Sequence, residues 1–182
     1  MKSFPPGLLV LSLLSLATSS LFAQTAETLT VPLIENGDFS NGTKGWIATF
    51  PKEAKPYMDV SPKGYEGKPC LTLQLPTCQV DSWSGKLTTD LSLESGNRYT
   101  LTFRARCQPE DCHIQVSVWG KDELQKDHQV DKAHNARISS IWGEVYYEFS
   151  IEASMTDFTL DIRNLAKSDE TFEIAEVTIV RN

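Results

Sequence analysis

Apolar and polar residues alternate with a period of two over much of this chain. In 98–107, Tyr99, Leu101, Phe103 and Ala105 fall on one side; Thr102, Arg104 and Arg106 fall on the other. In 113–119, Ile114, Val116 and Val118 oppose Gln115, Ser117 and Trp119. In 157–164, Phe158, Leu160 and Ile162 oppose Thr159, Asp161 and Arg163. Such alternation marks strands with one buried face. It predicts strands over 57–61, 70–75, 86–93, 98–107, 113–119, 145–151, 157–164 and 171–180. Turn chemistry separates them: Asn36-Gly37, Asn41-Gly42, Pro62-Lys63-Gly64, Glu94-Ser95-Gly96-Asn97 and Pro109-Glu110-Asp111. Helical periodicity is nearly absent. The expected fold is all-β, an antiparallel β-sandwich of two sheets. A one-residue slip would bury the charges of the polar faces, so register is well specified. The polar stretch 121–140 is expected to be a long loop or to hold a short helix.

The chain opens differently. Lys2 precedes an apolar, leucine-rich run over 7–17, and Leu21-Phe22-Ala23 offers a small residue for cleavage. This pattern predicts a signal peptide over 1–23 and a secreted or periplasmic product. The run is too short for a membrane span. Residues 24–182 then form one expected domain of roughly 160 residues, large enough for its own core.

The net charge is -7. That balance argues against nucleic acid or an anionic membrane as the main partner. The cysteines are Cys70, Cys78, Cys107 and Cys112. An even number in an exported chain reads as two disulfides. Three connectivities are open. The local one is favoured, because Cys107 and Cys112 flank a turn and Cys70 and Cys78 flank a short strand. A zinc site would want paired C-x-x-C spacing, which is missing.

Several segments, in order, resemble carbohydrate-binding modules of families 4, 9 and 22. Asn36-Gly37-Asp38-Phe39 with Gly45-Trp46 resembles their first strand and turn. Asp81-Ser82-Trp83-Ser84-Gly85 resembles a tryptophan-bearing segment before a strand. Ser95-Gly96-Asn97-Arg98-Tyr99-Thr100-Leu101-Thr102-Phe103-Arg104-Ala105-Arg106 is the best local match, and Ile141-Trp142-Gly143-Glu144-Val145-Tyr146-Tyr147-Glu148-Phe149 resembles a later strand. The segment from Phe172 to Ile179 resembles their closing strand. The resemblance implies a jelly roll that binds a polysaccharide or oligosaccharide through a concave sheet face or edge loops, usually beside a hydrolase. It also implies a structural calcium near the two ends. Here Ser40 and Ala175 stand where relatives often carry acids; Asp38 and Glu176 remain as candidate ligands. Calcium wants six to eight oxygens, so these two losses weaken the site.

Sugar recognition needs an aromatic platform for the CH face of the ring and planar polar groups for its hydroxyls. Trp119 is the foremost platform candidate, and Trp83, in a polar, serine-rich context, is a second. An edge tryptophan packed under the 121–140 stretch is the plainer alternative for Trp119. Trp46 and Trp142 follow turns and are expected to be structural. Arg104, Arg106, Gln115, Asp161 and Arg163, with Thr102 and Ser117, are expected to floor one polar cleft if the middle strands are neighbours. A solvated face with cross-strand ion pairs is the alternative.

A glycosidase needs two carboxylates roughly 5–10 Å apart across a cleft. The expected floor offers Asp161 alone, among arginines. No nucleophile motif, phosphate loop or H-E-x-x-H is present. The sequence therefore favours a non-catalytic binding domain over a hydrolase. A sandwich that binds protein is the other class that fold alone leaves open.

Overall fold

The computed structural model describes residues 32–49, 57–75, 85–108, 112–152, 154–165 and 170–182. The chain divides into two units, Met1–Thr30 and Val31–Asn182, and only the second is described. The segment expected to be a signal peptide, together with Cys78 and Trp83, lies outside the described residues.

The strands are β1 (Trp46–Thr49), β2 (Tyr57–Ser61), β3 (Cys70–Leu75), β4 (Lys86–Leu91), β5 (Arg98–Gln108), β6 (Cys112–Lys121), β7 (Asp127–Gln129), β8 (His134–Ile138), β9 (Gly143–Ser150), β10 (Thr156–Asn164) and β11 (Glu170–Arg181). They form two antiparallel sheets. The first has the order β1-β4-β10-β6-β7, with β8 also pairing β6; the second has the order β2-β3-β11-β5-β9. The only helical element among the described residues is a 3₁₀ turn, Tyr65–Gly67. The fold is the expected all-β sandwich.

The inner faces follow the alternation. Leu87, Ile114, Val116, Val118, Leu160 and Ile162 of the first sheet pack against Leu71, Leu73, Leu101, Phe103, Phe172 and Ile174 of the second. Each such side chain contributes about 1.5–3 kcal/mol by leaving water. Outside the predicted strands the structure adds β1, β7 and β8. The last two occupy the stretch expected to be a loop or helix. Strand β8 pairs His134–Ile138 with Cys112–Val116, and its one deeply buried residue is Ile138. So few inward apolar residues leave little periodic signal; the partner strand supplies the order.

The two ends of the domain meet. Val177 donates its N–H to the Gly37 carbonyl at 2.9 Å. A Cβ on Gly37 would overlap the Val177 carbonyl oxygen, so the opening turn needs glycine there. Trp46 is core, as expected. Its ring packs 5.2 Å from Phe39, and its Nε1 donates to the Asn36 carbonyl at 3.1 Å.

Cys107 and Cys112 form the local disulfide. Cys70 is a free, fully buried thiol, and Cys78, the partner expected for it, lies outside the described residues. Gly64 folds directly over it, so closely that a Cβ there would strike the Cys70 sulfur. Burial, then the nearby Glu173 carboxylate, push this thiol above its ordinary pKa and keep it protonated.

Candidate functional site

The middle of the second sheet carries β5 between β11 and β9. On its outer face β5 presents Thr102, Arg104 and Arg106. The register sets Glu173 beside Arg106 on β11 and Glu144 beside Arg104 on β9. Both pairs close as ion pairs: Arg104 Nη2 lies 2.9 Å from Glu144 Oε2, and Arg106 Nε lies on Glu173 Oε2. Thr102 and Thr178 hydroxyls meet at 2.7 Å on the same face.

Two aromatic rings cover these arginines. Tyr65 arrives from the β2–β3 connection, and the Arg104 guanidinium sits 5.3 Å from its ring centre. Trp142 directly precedes β9, and the Arg106 guanidinium sits 4.9 Å from its ring. The two rings touch edge to face, 5.6 Å apart and inclined at 64°. Each half-exposed cation–π contact is worth about 0.5–1 kcal/mol and the ring pair about 0.5–1.5 kcal/mol. The half-exposed ion pairs add little to stability but fix the guanidinium planes. Lys68 of the same connection binds Glu176 on β11. Beside the Arg104–Glu144 pair lies a depression of about 420 Å³ lined also by Asp38, Thr102, Glu176 and Thr178.

The expected single cleft is divided in two. Arg104 and Arg106 lie on the second sheet. Gln115, Ser117, Trp119, Asp161 and Arg163 lie on the first, whose outer face points the opposite way. Strands β5 and β6 follow each other in sequence but enter different sheets, so equal parity did not put them side by side. Asp161 Oδ2 accepts from Arg163 Nη2 at 2.7 Å and from Lys86 Nζ at 3.2 Å. The Asp161 and Arg163 side chains are only 3% and 7% exposed, a buried ion pair and not an open hydrogen-bonding surface. Gln115 Nε2 donates to Asn135 Oδ1 at 3.3 Å. Trp119 is half-buried, donates from Nε1 to Ser117 Oγ at 3.0 Å, and has the Arg163 guanidinium 5.8 Å from its ring.

Trp142, expected to be structural, is half-buried on the outer face. The signal for this was present. Counting back from the outward Glu148, Tyr146 and Glu144 puts Trp142 on the same side. Tyr65 drew no attention in the sequence. Its only cue is an aromatic between Gly64 and Gly67 in a polar turn, and its partner is set by tertiary packing.

The calcium candidates do not fit a metal. Asp38 Oδ1 accepts both the N–H and the hydroxyl of Ser40, at 3.1 and 2.9 Å, and these bonds hold its carboxyl below the usual pKa. Glu176 is taken by the Lys68 ammonium. Among the described residues no cluster of three or more His, Cys, Asp or Glu side chains is arranged to hold an ion. Calcium prefers six to eight oxygens and no competing cation.

The family model described as a carbohydrate binding domain, of the CBM 4/9 type, matches residues 31–165. The chain belongs to this carbohydrate-binding domain family. Among solved structures, it is similar to the CBM22-1 xylan-binding domain of Paenibacillus barcinonensis Xyn10C, with 16% identity, 76% of this chain and 86% of that one covered, and a TM-score of 0.59. The CBM22-1–GH10 modules of Clostridium thermocellum Xyn10B complexed with xylohexaose give 17% identity, 84% and 28% coverage, and a TM-score of 0.61. TmCBM61 in complex with β-1,4-galactotriose gives 14% identity, 84% and 100% coverage, and a TM-score of 0.58. At these identities the likeness is one of fold. No curated protein matches the chain. Among the described residues no helix is long and apolar enough to cross a membrane.

Proposed function

We propose that this domain binds a glycan, without cleaving it, through the outer face of its second sheet. The carrying observation is the contact between Tyr65 and Trp142 above two carboxylate-held guanidinium groups. Aromatic rings give sugar CH groups an apolar surface. Fixed guanidinium and carboxylate planes can meet vicinal hydroxyls two at a time. Arg104, Arg106, Glu144 and Glu173 supply those planes, and Thr102 and Thr178 supply hydroxyls. A hydrolytic role is disfavoured by the state of the carboxylates. Glu144, Glu173 and Glu176 are each tied to a cation, so none stands free to reach a glycosidic oxygen as half of a catalytic pair. The leader over 1–23 supports export, where polysaccharides are met.

The test is affinity electrophoresis of residues 24–182 in gels containing xylan, galactan or mixed-linkage glucan. Two of the similar structures are described with xylo- and galacto-oligosaccharide, which makes xylan and galactan the first probes. The protein should be retarded by at least one, and Arg106→Ala and Trp142→Ala should lose retardation tenfold or more. Unchanged migration in every glycan would reject the reading. Reducing sugar released over time would reject its non-catalytic half.

A further inference from the structure

We infer that Tyr146 is a second stacking platform on this face, and that the glycan lies lengthwise along β9, from Trp142 to Tyr146. This inference rests on the glycan-binding reading above and gives that site a direction and a further residue. Alternation along the edge strand β9 sets Glu144, Tyr146 and Glu148 outward, in line with Trp142, while Val145, Tyr147 and Phe149 are buried. An aromatic residue and a carboxylate thus repeat along one edge of the face. Tyr146 is 49% exposed. Its neighbours across the sheet are Thr102 on β5 and then Thr178 on β11. Both are short and leave the ring uncovered on that side. At the Trp142 end the same two strands carry Arg106 and Glu173, which are long and pair with each other. The Tyr146 hydroxyl donates to Glu148, the next outward residue of the strand. That bond holds the ring along the strand, the direction in which strand side chains lean.

The ground between the two aromatic positions is polar. Glu144 stands midway between Trp142 and Tyr146 on the outer row, and the register sets Arg104 beside it. The depression of about 420 Å³ takes in this pair and continues to Thr102 and Thr178, the row of Tyr146. The Thr102 and Thr178 hydroxyls meet there at 2.7 Å. Ring, ion pair and hydroxyls, then ring again, suit a chain of pyranoses, whose CH faces and hydroxyl edges recur unit by unit. The spacing fits a chain and not a single sugar. Four residues of antiparallel strand, from Trp142 to Tyr146, advance about 14 Å. With single bonds of about 1.5 Å, one 1,4-linked pyranose advances its chain by about 5 Å. Tyr146 therefore meets a sugar about two or three units beyond the one on Trp142. A disaccharide reaches one platform, and a longer oligosaccharide reaches both.

The test is isothermal titration of residues 24–182 with β-1,4-xylo-oligosaccharides and β-1,4-galacto-oligosaccharides from dimer to hexamer. For the wild-type protein, the hexamer of at least one series should bind tenfold or more tighter than the dimer. Tyr146→Ala should bring that ratio below threefold. Tyr146→Phe, which keeps the ring and loses the hydroxyl, should leave the ratio within twofold of wild type. Equal affinity of the wild-type protein for dimer and hexamer would overturn the inference and leave glycan binding standing. A Tyr146→Ala protein with the wild-type ratio would do the same. A loss in Tyr146→Phe as large as that in Tyr146→Ala would assign the effect to the hydroxyl and overturn the platform. Binding of no oligosaccharide would defeat the glycan-binding reading and this inference together.

Discussion

Gly37 and Val177 tie the first turn of the domain to its last strand. The Val177 N–H reaches the Gly37 carbonyl, and the Val177 carbonyl oxygen fills the place of a side chain on Gly37. The contact falls at the irregularity in β11 between Ala175 and Thr178, where Glu176 adopts a positive φ of 51°. The closing strand bends there, and the opening turn seats against the bend. Gly37→Ala should cost about 2 kcal/mol or more, since backbone atoms and not a pliable side chain must move. Gly42→Ala, where φ is +66° and nothing lies within 4 Å, should cost only about 1 kcal/mol. Thermal unfolding followed by circular dichroism checks both, at about 2–4 °C per kcal/mol. Equal melting temperatures for the two variants would refute the contact.

The buried ion pair between Asp161 and Arg163 belongs to the first sheet and to stability. Asp161→Asn removes the buried carboxylate that Arg163 and Lys86 share and should cost about 3–5 kcal/mol. At a temperature where the variant is folded, its glycan affinity should stay within twofold of wild type. Urea unfolding and affinity electrophoresis measure the two effects. Lost binding in a fully folded Asp161→Asn protein would return the first sheet to the binding site.

The cysteines should behave unequally. Reducing the bridge between Cys107 and Cys112, which lie five residues apart, should cost about 2 kcal/mol by loop-closure entropy. Cys70 should resist iodoacetamide in the native protein at pH 8 and be alkylated fully in urea. Peptide mass spectrometry assigns the label. Rapid native alkylation of Cys70 would contradict its burial.

Stability should fall in alkali. Burial, and secondarily the Asp131 carboxylate, raise the Tyr147 phenol well above its ordinary value of 10.0. Once pH passes 10 the unfolded chain loses this proton while the folded chain keeps it. The unfolded state then binds fewer protons, so stability drops with rising pH. The stabilisation is intact below pH 10. Tyr147→Phe loses the 3.2 Å bond to the Lys132 carbonyl but should flatten the alkaline slope. Urea midpoints at pH 8, 10 and 11 check this; identical slopes in wild type and variant would refute it.

The sequence by itself determined what depends on near neighbours along the chain. Alternation in 98–107, 113–119 and 157–164 fixed which side chains point inward, because successive residues of a strand face opposite ways. It placed Arg104 and Arg106 outward and, counted back through Glu144, could have placed Trp142 there too. Family membership was legible for the same reason, carried by short turn and strand segments in order. Which strands share a sheet is a different kind of fact. It depends on pairings between distant segments, and parity is silent about them. So alternation alone groups Arg104 and Arg106 with Asp161, Arg163 and Trp119, although the sandwich puts them on opposite sides. Only the tertiary structure paired Glu144 with Arg104, withdrew Glu176 from metal binding by giving it Lys68, left Cys70 free beneath Gly64, and brought Tyr65 onto Trp142.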